Sequence, residues 1–231
     1  MRRALVAGAS SAYQTMAELD EQRNRLTVKL VYYGPALSGK TTNLTRLHDL
    51  LSAELIGDMM TLETEGDRTL FFDLLPVGFT APSGLLVKFK VFTVPGQVVH
   101  DGTRKALLSR TDGVIFVADS QRNQAVNNGV SFENLMANAT TLGMDLATLP
   151  LVVQFNKRDL PDILSEQEIH DRWAKAPWPL HFASALEGSG VLDTFVALLE
   201  RVYDRLDALF ALESAHGLSR NAFVTAAGGR A

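Results

Sequence analysis

Short apolar runs alternate along the chain with stretches in which apolar side chains recur every three or four positions. Leu30-Val31-Tyr32-Tyr33, Leu70-Phe71-Phe72-Asp73-Leu74-Leu75 and Leu85–Phe92 predict strands, the last with a more polar face in its second half. Val114–Ala118 and Leu151–Phe155 are almost unbroken apolar runs, the mark of strands covered on both faces, and Leu180-His181-Phe182-Ala183 is a shorter sixth. Helical patterns fit between them at about 40–52, 102–108, 130–142, 165–174 and 191–212. In the last of these, Leu192, Phe195, Val196, Leu199, Val202, Tyr203, Leu206, Leu209 and Phe210 form one apolar stripe. Alternation of this kind predicts an α/β fold with six strands in a mainly parallel sheet, flanked by helices.

The two ends break the pattern. Met16, Leu19 and Leu26 are too sparse for an amphipathic stripe, so residues 1–26 read as a loose or partly helical arm. Residues 213–231 drift into Ala, Gly and Ser and read as a mobile tail, which leaves 27–212 as the folded domain. Composition adds exclusions. Of 231 residues, 46% are apolar, enough for a sizeable core. The net charge of -4 argues against a protein that coats nucleic acid. No cysteine is present, which excludes disulfides, thiolate metal sites, cysteine nucleophiles and prenyl or palmitoyl anchors. No apolar run is long enough to predict a membrane span, and Met1-Arg2-Arg3 with its weak apolar sequel is not read as a signal peptide.

The most specific motif is Gly34-Pro35-Ala36-Leu37-Ser38-Gly39-Lys40-Thr41-Thr42, which matches G-x-x-x-x-G-K-[ST] and directly follows the first strand. A loop that wraps phosphate must converge its backbone N–H groups. Glycines at 34 and 39 permit the close approach, and the helix opening near Lys40 aims its positive end at the same anion. Lys40 then reaches the terminal phosphates, and the Thr41 hydroxyl ligates Mg²⁺.

A second motif, Asn156-Lys157-Arg158-Asp159, follows the fifth strand. A carboxylate at 159 accepts from both the ring N–H and the exocyclic amine of guanine, a donor pair that adenine lacks. Asn156 either bonds the base or ties the loop, and the Lys157 stem can lie over the ring. Ser184-Ala185-Leu186, after the sixth strand, offers backbone N–H groups to the guanine carbonyl oxygen.

Together these elements resemble the small Ras-like GTPases. Further stretches are similar to one branch, the bacterial cell-polarity and gliding-motility GTPases of the MglA type. They are Val31–Pro35, Gly39–Leu44, Arg68–Asp73, Thr93-Val94-Pro95-Gly96-Gln97, Asp112-Gly113-Val114, Val117-Ala118-Asp119-Ser120 and Asn156–Pro161. Asp119-Ser120 is diagnostic without a chemical reading of its own. The resemblance spans about 29–206 and implies a Ras-like G domain that binds GTP and GDP with Mg²⁺ and hydrolyses GTP. It implies that Thr69 ligates Mg²⁺ and senses the γ-phosphate, that Gly96 joins the phosphate contacts and that Gln97 orients the attacking water. It also implies that Arg68 is an arginine supplied to the transition state within the same chain. Thr93 stands where most Ras-like proteins carry an Mg²⁺-linked Asp, and holds the metal only through water. The branch further implies a dimeric roadblock/longin-type activating protein (MglB-like), polarity or motility effectors, and a cytoplasmic protein brought to a pole or the inner membrane by partners.

Three other functions are weighed against this one. A GTP-binding module with negligible hydrolysis has no use for Gln97 and Arg68. A P-loop kinase has no reason to carry Asn156–Asp159 with Thr69 and Gln97. A translation or ribosome-assembly GTPase is expected to bring a basic RNA-binding extension. His48, His100, His170, His181 and His216 show no metal-ligand spacing. Trp173 and Trp178 read as packing under a loop, and Arg104-Lys105 as a solvated helix face.

Overall fold

The computed structural model describes residues 17–63, 71–96 and 101–229. The chain opens with β1 (Glu18–Asp20), β2 (Arg25–Tyr33), α1 (Lys40–Leu50), β3 (Met60–Glu63), β4 (Phe71–Thr80) and β5 (Leu86–Thr93). There follow α2 (Asp101–Leu108), β6 (Gly113–Asp119), α3 (Ala125–Thr141), β7 (Leu151–Asn156), α4 (Glu166–Trp173) and β8 (Leu180–Phe182). The chain closes with α5 (Val191–Phe210), α6 (Leu212–His216) and α7 (Arg220–Gly228).

β2 is central because it is apolar on both sides. Leu26, Val28, Leu30 and Tyr32 face one core and Val31 and Tyr33 the other, and all are fully buried. The first core is closed by α1, α5 and α7, through Leu44, Leu47, Phe195, Leu199 and Phe223. The second is closed by α2, α3 and α4, through Leu107, Leu108, Phe132, Leu135 and Ile169. Trp173 and Trp178 pack edge-on against Phe132, with ring centroids 5.0 and 5.2 Å away. The strand order is β3-β4-β5-β2-β6-β7-β8 with β1 beside β2. β2 pairs in parallel with β5 and β6, as do β6 with β7 and β7 with β8. The β3–β4, β4–β5 and β1–β2 pairs are antiparallel.

All six expected strands are present, but among the described residues the sheet has eight. The two additions are short and partly polar, so their alternation is too brief to stand out. β1 pairs with residues 25–27, the stretch of β2 that β6 leaves open because its own pairing begins at Leu30. The Asp112 carboxylate stitches this corner, accepting from the N–H groups of Ala17 (3.1 Å) and Lys29 (2.8 Å).

Residues 1–16 of the expected arm and 230–231 of the expected tail lie outside the described residues, and the described parts of both ends depart from expectation. Glu18–Asp20 and the start of β2 at Arg25 and Leu26 are sheet strands joined by a turn, rather than a loose or helical arm. Residues 213–229 are not a mobile tail. Leu212, Leu218, Phe223 and Ala227 are buried at irregular spacings that no periodicity reveals, each filling a place that α5 and the β4–β5 hairpin already provide. Phe223 stacks edge-on against Phe79 and Phe89 at 5.9 and 5.6 Å, and the Tyr203 hydroxyl donates to the Leu218 carbonyl at 2.8 Å. Phe223→Ala is therefore expected to cost about 3–4 kcal/mol of stability, read as a lowered denaturant midpoint. An unchanged midpoint would restore the mobile tail.

Arg104 departs from expectation as well. Lys105 is the solvated member of the pair, bound to Asp101 at 2.8 Å, whereas Arg104 is fully buried. It lies on the inner side of α2 with Leu107 and Leu108, and its donors are met. They reach the Tyr33 hydroxyl (3.0 Å), Ser131 Oγ (3.0 Å) and the Gly96 carbonyl (3.3 Å), with the guanidinium 4.4 Å from the Tyr33 ring centre. A buried cation survives only when its hydrogen bonds are satisfied in this way.

Candidate functional site

The loop 34–39 joins β2 to α1 at the carboxyl end of the sheet, where open α/β sheets bind ligands. Gly39 opens α1 at φ 94°, and a Cβ there would lie 2.3 Å from the Asn156 amide nitrogen, so only glycine fits. The side chains of the loop divide by role. Ala36 and Leu37 are exposed, while Pro35, Ser38 and Lys40 are buried. Ser38 Oγ is buried with no hydrogen-bond partner, the kind of orphaned group that a bound polar ligand satisfies. The Lys40 ammonium donates to the carbonyls of Pro35 (2.6 Å) and Gly34 (3.2 Å). Burial, and secondarily Arg104, lower its pKa to about 7, with Asp73 opposing. Gly96, at the end of the segment after β5, rests on this loop. A Cβ on it would meet Ala36 Cα at 2.3 Å, and Arg104 holds its carbonyl.

A carboxylate to which the sequence pattern assigned no role sits at the same place. Asp73 interrupts an apolar strand, is 6% exposed, and accepts from the hydroxyls of Thr41 (2.7 Å), Thr93 (3.0 Å) and Thr61 (3.0 Å). The antiparallel register, with Leu74 opposite Phe92, sets Asp73 beside Thr93, and the Asp73 N–H donates to Thr93 Oγ1 at 2.9 Å. The available signal was a lone acid inside an apolar run, a residue type almost never fully buried unless it is paired. Thr41, Thr93 and Asp73 thus bring hard oxygen donors and one negative charge together, a donor set that suits Mg²⁺.

The two base-loop elements are bound to each other and to the 34–39 loop. Asn156, ending β7, donates to the Ser38 carbonyl (2.8 Å) and accepts from the Ala185 N–H (2.9 Å), so it ties loops. Ser184 Oγ donates to Asp159 Oδ1 at 2.6 Å, which orients that carboxylate. Lys157 takes a left-handed backbone (φ 67°) and its ammonium lies 2.6 Å from Asp119. Leu186 is exposed, with its carbonyl held by the Arg46 guanidinium. Thr42 is exposed on the first turn of α1. Arg68, Thr69, Gln97 and His100 lie outside the described residues.

The 34–40 loop, the oxygen cluster of Thr41, Asp73 and Thr93, and the Asp159 carboxylate held by Ser184 thus stand at the loops that follow β2, β5, β7 and β8. The ADP-ribosylation factor family matches residues 13–202, a stretch that stops short of α7. The mutual gliding-motility protein MglA of Myxococcus xanthus is 42% identical over 191 residues, covering 83% of this chain and 98% of that one. Elongation factor 4 of Thermotoga maritima is 26% identical over 174 residues, 71% of this chain but 27% of that protein. Elongation factor 4 of Streptococcus gordonii is 28% identical over 155 residues, 66% of this chain and 24% of that protein. Likeness to the translation factors is thus confined to about a quarter of their length.

Proposed function

The chain belongs to the ADP-ribosylation factor family, as an MglA-type Ras-like small GTPase that hydrolyses GTP to GDP, and from that premise we propose that its switching serves bacterial cell polarity or gliding motility. The observation that supports this most is the identity with the Myxococcus xanthus protein across nearly its whole length. No helix among the described residues is long and apolar enough to cross a membrane. The recruitment we propose, to a pole or to the inner membrane, is through partners. The partner we propose is a dimeric, MglB-like roadblock/longin-type activating protein.

Within the site, the amides of 34–39 and the Lys40 ammonium hold the phosphates, and releasing Lys40 from the Gly34 and Pro35 carbonyls frees its charge for them. Asp159 identifies guanine, with Ser184, Ala185 and Leu186 beside it. Gln97 positions the water and Arg68 the transition-state charge. Thr41 and Thr69 would hold Mg²⁺, with Thr93 reaching it through water. When bound, the ion neutralises charge on the phosphate oxygens. We read Asp73 as supplying, from the neighbouring strand, the negative charge that position 93 lacks. Asp73→Asn keeps the shape and removes the charge. It is expected to raise the Mg²⁺ concentration for half-maximal turnover about tenfold, measured by phosphate release across a Mg²⁺ series. An unaltered Mg²⁺ dependence would leave Asp73 a purely structural acid.

The test of the function is GTP turnover by the full chain, alone and with a candidate roadblock-type partner. Slow turnover alone and marked stimulation in the mixture are expected. GTP held without phosphate release in both would favour the interaction-module reading.

A further inference from the structure

Asp119 is a buried acid that the mechanism above does not use. It ends β6, is 3% exposed and carries a carboxylate whose burial must be compensated. Its backbone is pinned to α3 on both sides: its N–H donates to Asn128 Oδ1 (2.9 Å), and Asn128 Nδ2 donates to its carbonyl (2.8 Å). The side chain accepts from the Gln121 N–H at 3.0 Å and from the Gln121 amide at 3.1 and 3.2 Å. The remaining partner is the Lys157 ammonium, at 2.6 Å and only 25% exposed.

Lys157 stands between Asn156, which ties the phosphate loop to Ala185, and the guanine-reading Asp159. Its backbone is left-handed, a conformation that L-residues avoid and that persists where the surroundings enforce it. The Asp119 carboxylate holds the side-chain end of this residue, while Arg158 N–H to the Ala183 carbonyl and Leu160 N–H to the Lys157 carbonyl hold the backbone around it. We propose that Asp119 is a positioning residue of the guanine site. By anchoring the Lys157 ammonium, it sets the path of the lysine stem across the purine and fixes the loop that presents Asp159. This rests on the guanine reading of 156–159. It also gives Asp119-Ser120 a physical role, since α3 holds the acid, the acid holds the lysine, and the lysine holds the base.

The experiment is calorimetric titration of wild type, Asp119→Asn, Lys157→Met and the double variant with GDP, ADP and inorganic pyrophosphate. Pyrophosphate carries no base, so it reports the phosphate loop alone. Asp119→Asn is expected to weaken GDP tenfold or more and leave pyrophosphate within twofold of wild type. Lys157→Met is expected to do the same, and the double variant to lose no more GDP affinity than the weaker single variant, because both remove one contact. Wild-type GDP affinity in Asp119→Asn, or a parallel loss of GDP and pyrophosphate, would overturn the proposal. If Asp119→Asn does not fold, Lys157→Met carries the same expectation from the other partner. Equal wild-type affinity for GDP and ADP would overturn the guanine reading itself and this proposal with it, and is told apart because it shows before any substitution.

Discussion

Arg68→Ala is expected to lower partner-stimulated GTP turnover by a factor on the order of 10³ while leaving GDP and GTP affinity nearly unchanged. The reasoning is differential. Phosphoryl transfer spreads charge over the transferred oxygens only as the bond breaks, so a cation aimed there acts on the transition state and hardly on the bound ground state. Gln97→Leu removes the side chain that orients water and is expected to cost on the order of 10². Single-turnover phosphate release, with and without the activating partner, separates these effects from nucleotide exchange. If both variants kept wild-type stimulated turnover, Arg68 would be a solvated charge in its acidic loop, and the catalytic cation would have to come from the partner.

The second large effect falls on the base. Asp159→Ala is expected to weaken GDP on the order of 10³-fold and leave ADP affinity where it was, collapsing discrimination between them. Ser184 Oγ donates to Asp159 Oδ1 at 2.6 Å, which restrains the carboxylate proposed to meet the two guanine donors. Asp159→Asn adds a sharper check. Its amide donates where the carboxylate accepted, so it should favour a xanthine nucleotide, which carries a carbonyl where guanine carries its amine. Competition of GDP, ADP and XDP against a fluorescent nucleotide measures all three. A GDP preference that survives Asp159→Ala would move base recognition elsewhere.

What could be read from the residues follows how local each signal is. The six principal strands, the helices α1 to α5 and the strand-loop-helix order at Gly34–Thr42 are local patterns, and the structure has them in place. The two missed strands are four residues or fewer and take their meaning from a neighbour: β1 exists because β2 has an open edge at residues 25–27. Phe223 carries no periodic signal, since what buries it is an aromatic pocket formed by Phe79, Phe89 and Tyr203, distant in sequence. Asp73 and Thr41 lie 32 positions apart and Asp119 and Lys157 lie 38 apart, and only the tertiary fold, α1 against β4 and β6 beside β7, brings each pair within hydrogen-bond reach. Arg104 shows the same limit in reverse. Its type predicts solvent, and its burial depends on acceptors from three other elements.

The most direct test of the central claim, one pocket built from the 34–42 loop and Asp159, is the affinity of the unmodified chain for GDP against ADP in Mg²⁺, by calorimetry. A one-to-one complex with GDP favoured by on the order of 10³ or more is the predicted result. Equal affinities, or no binding of either, would contradict it.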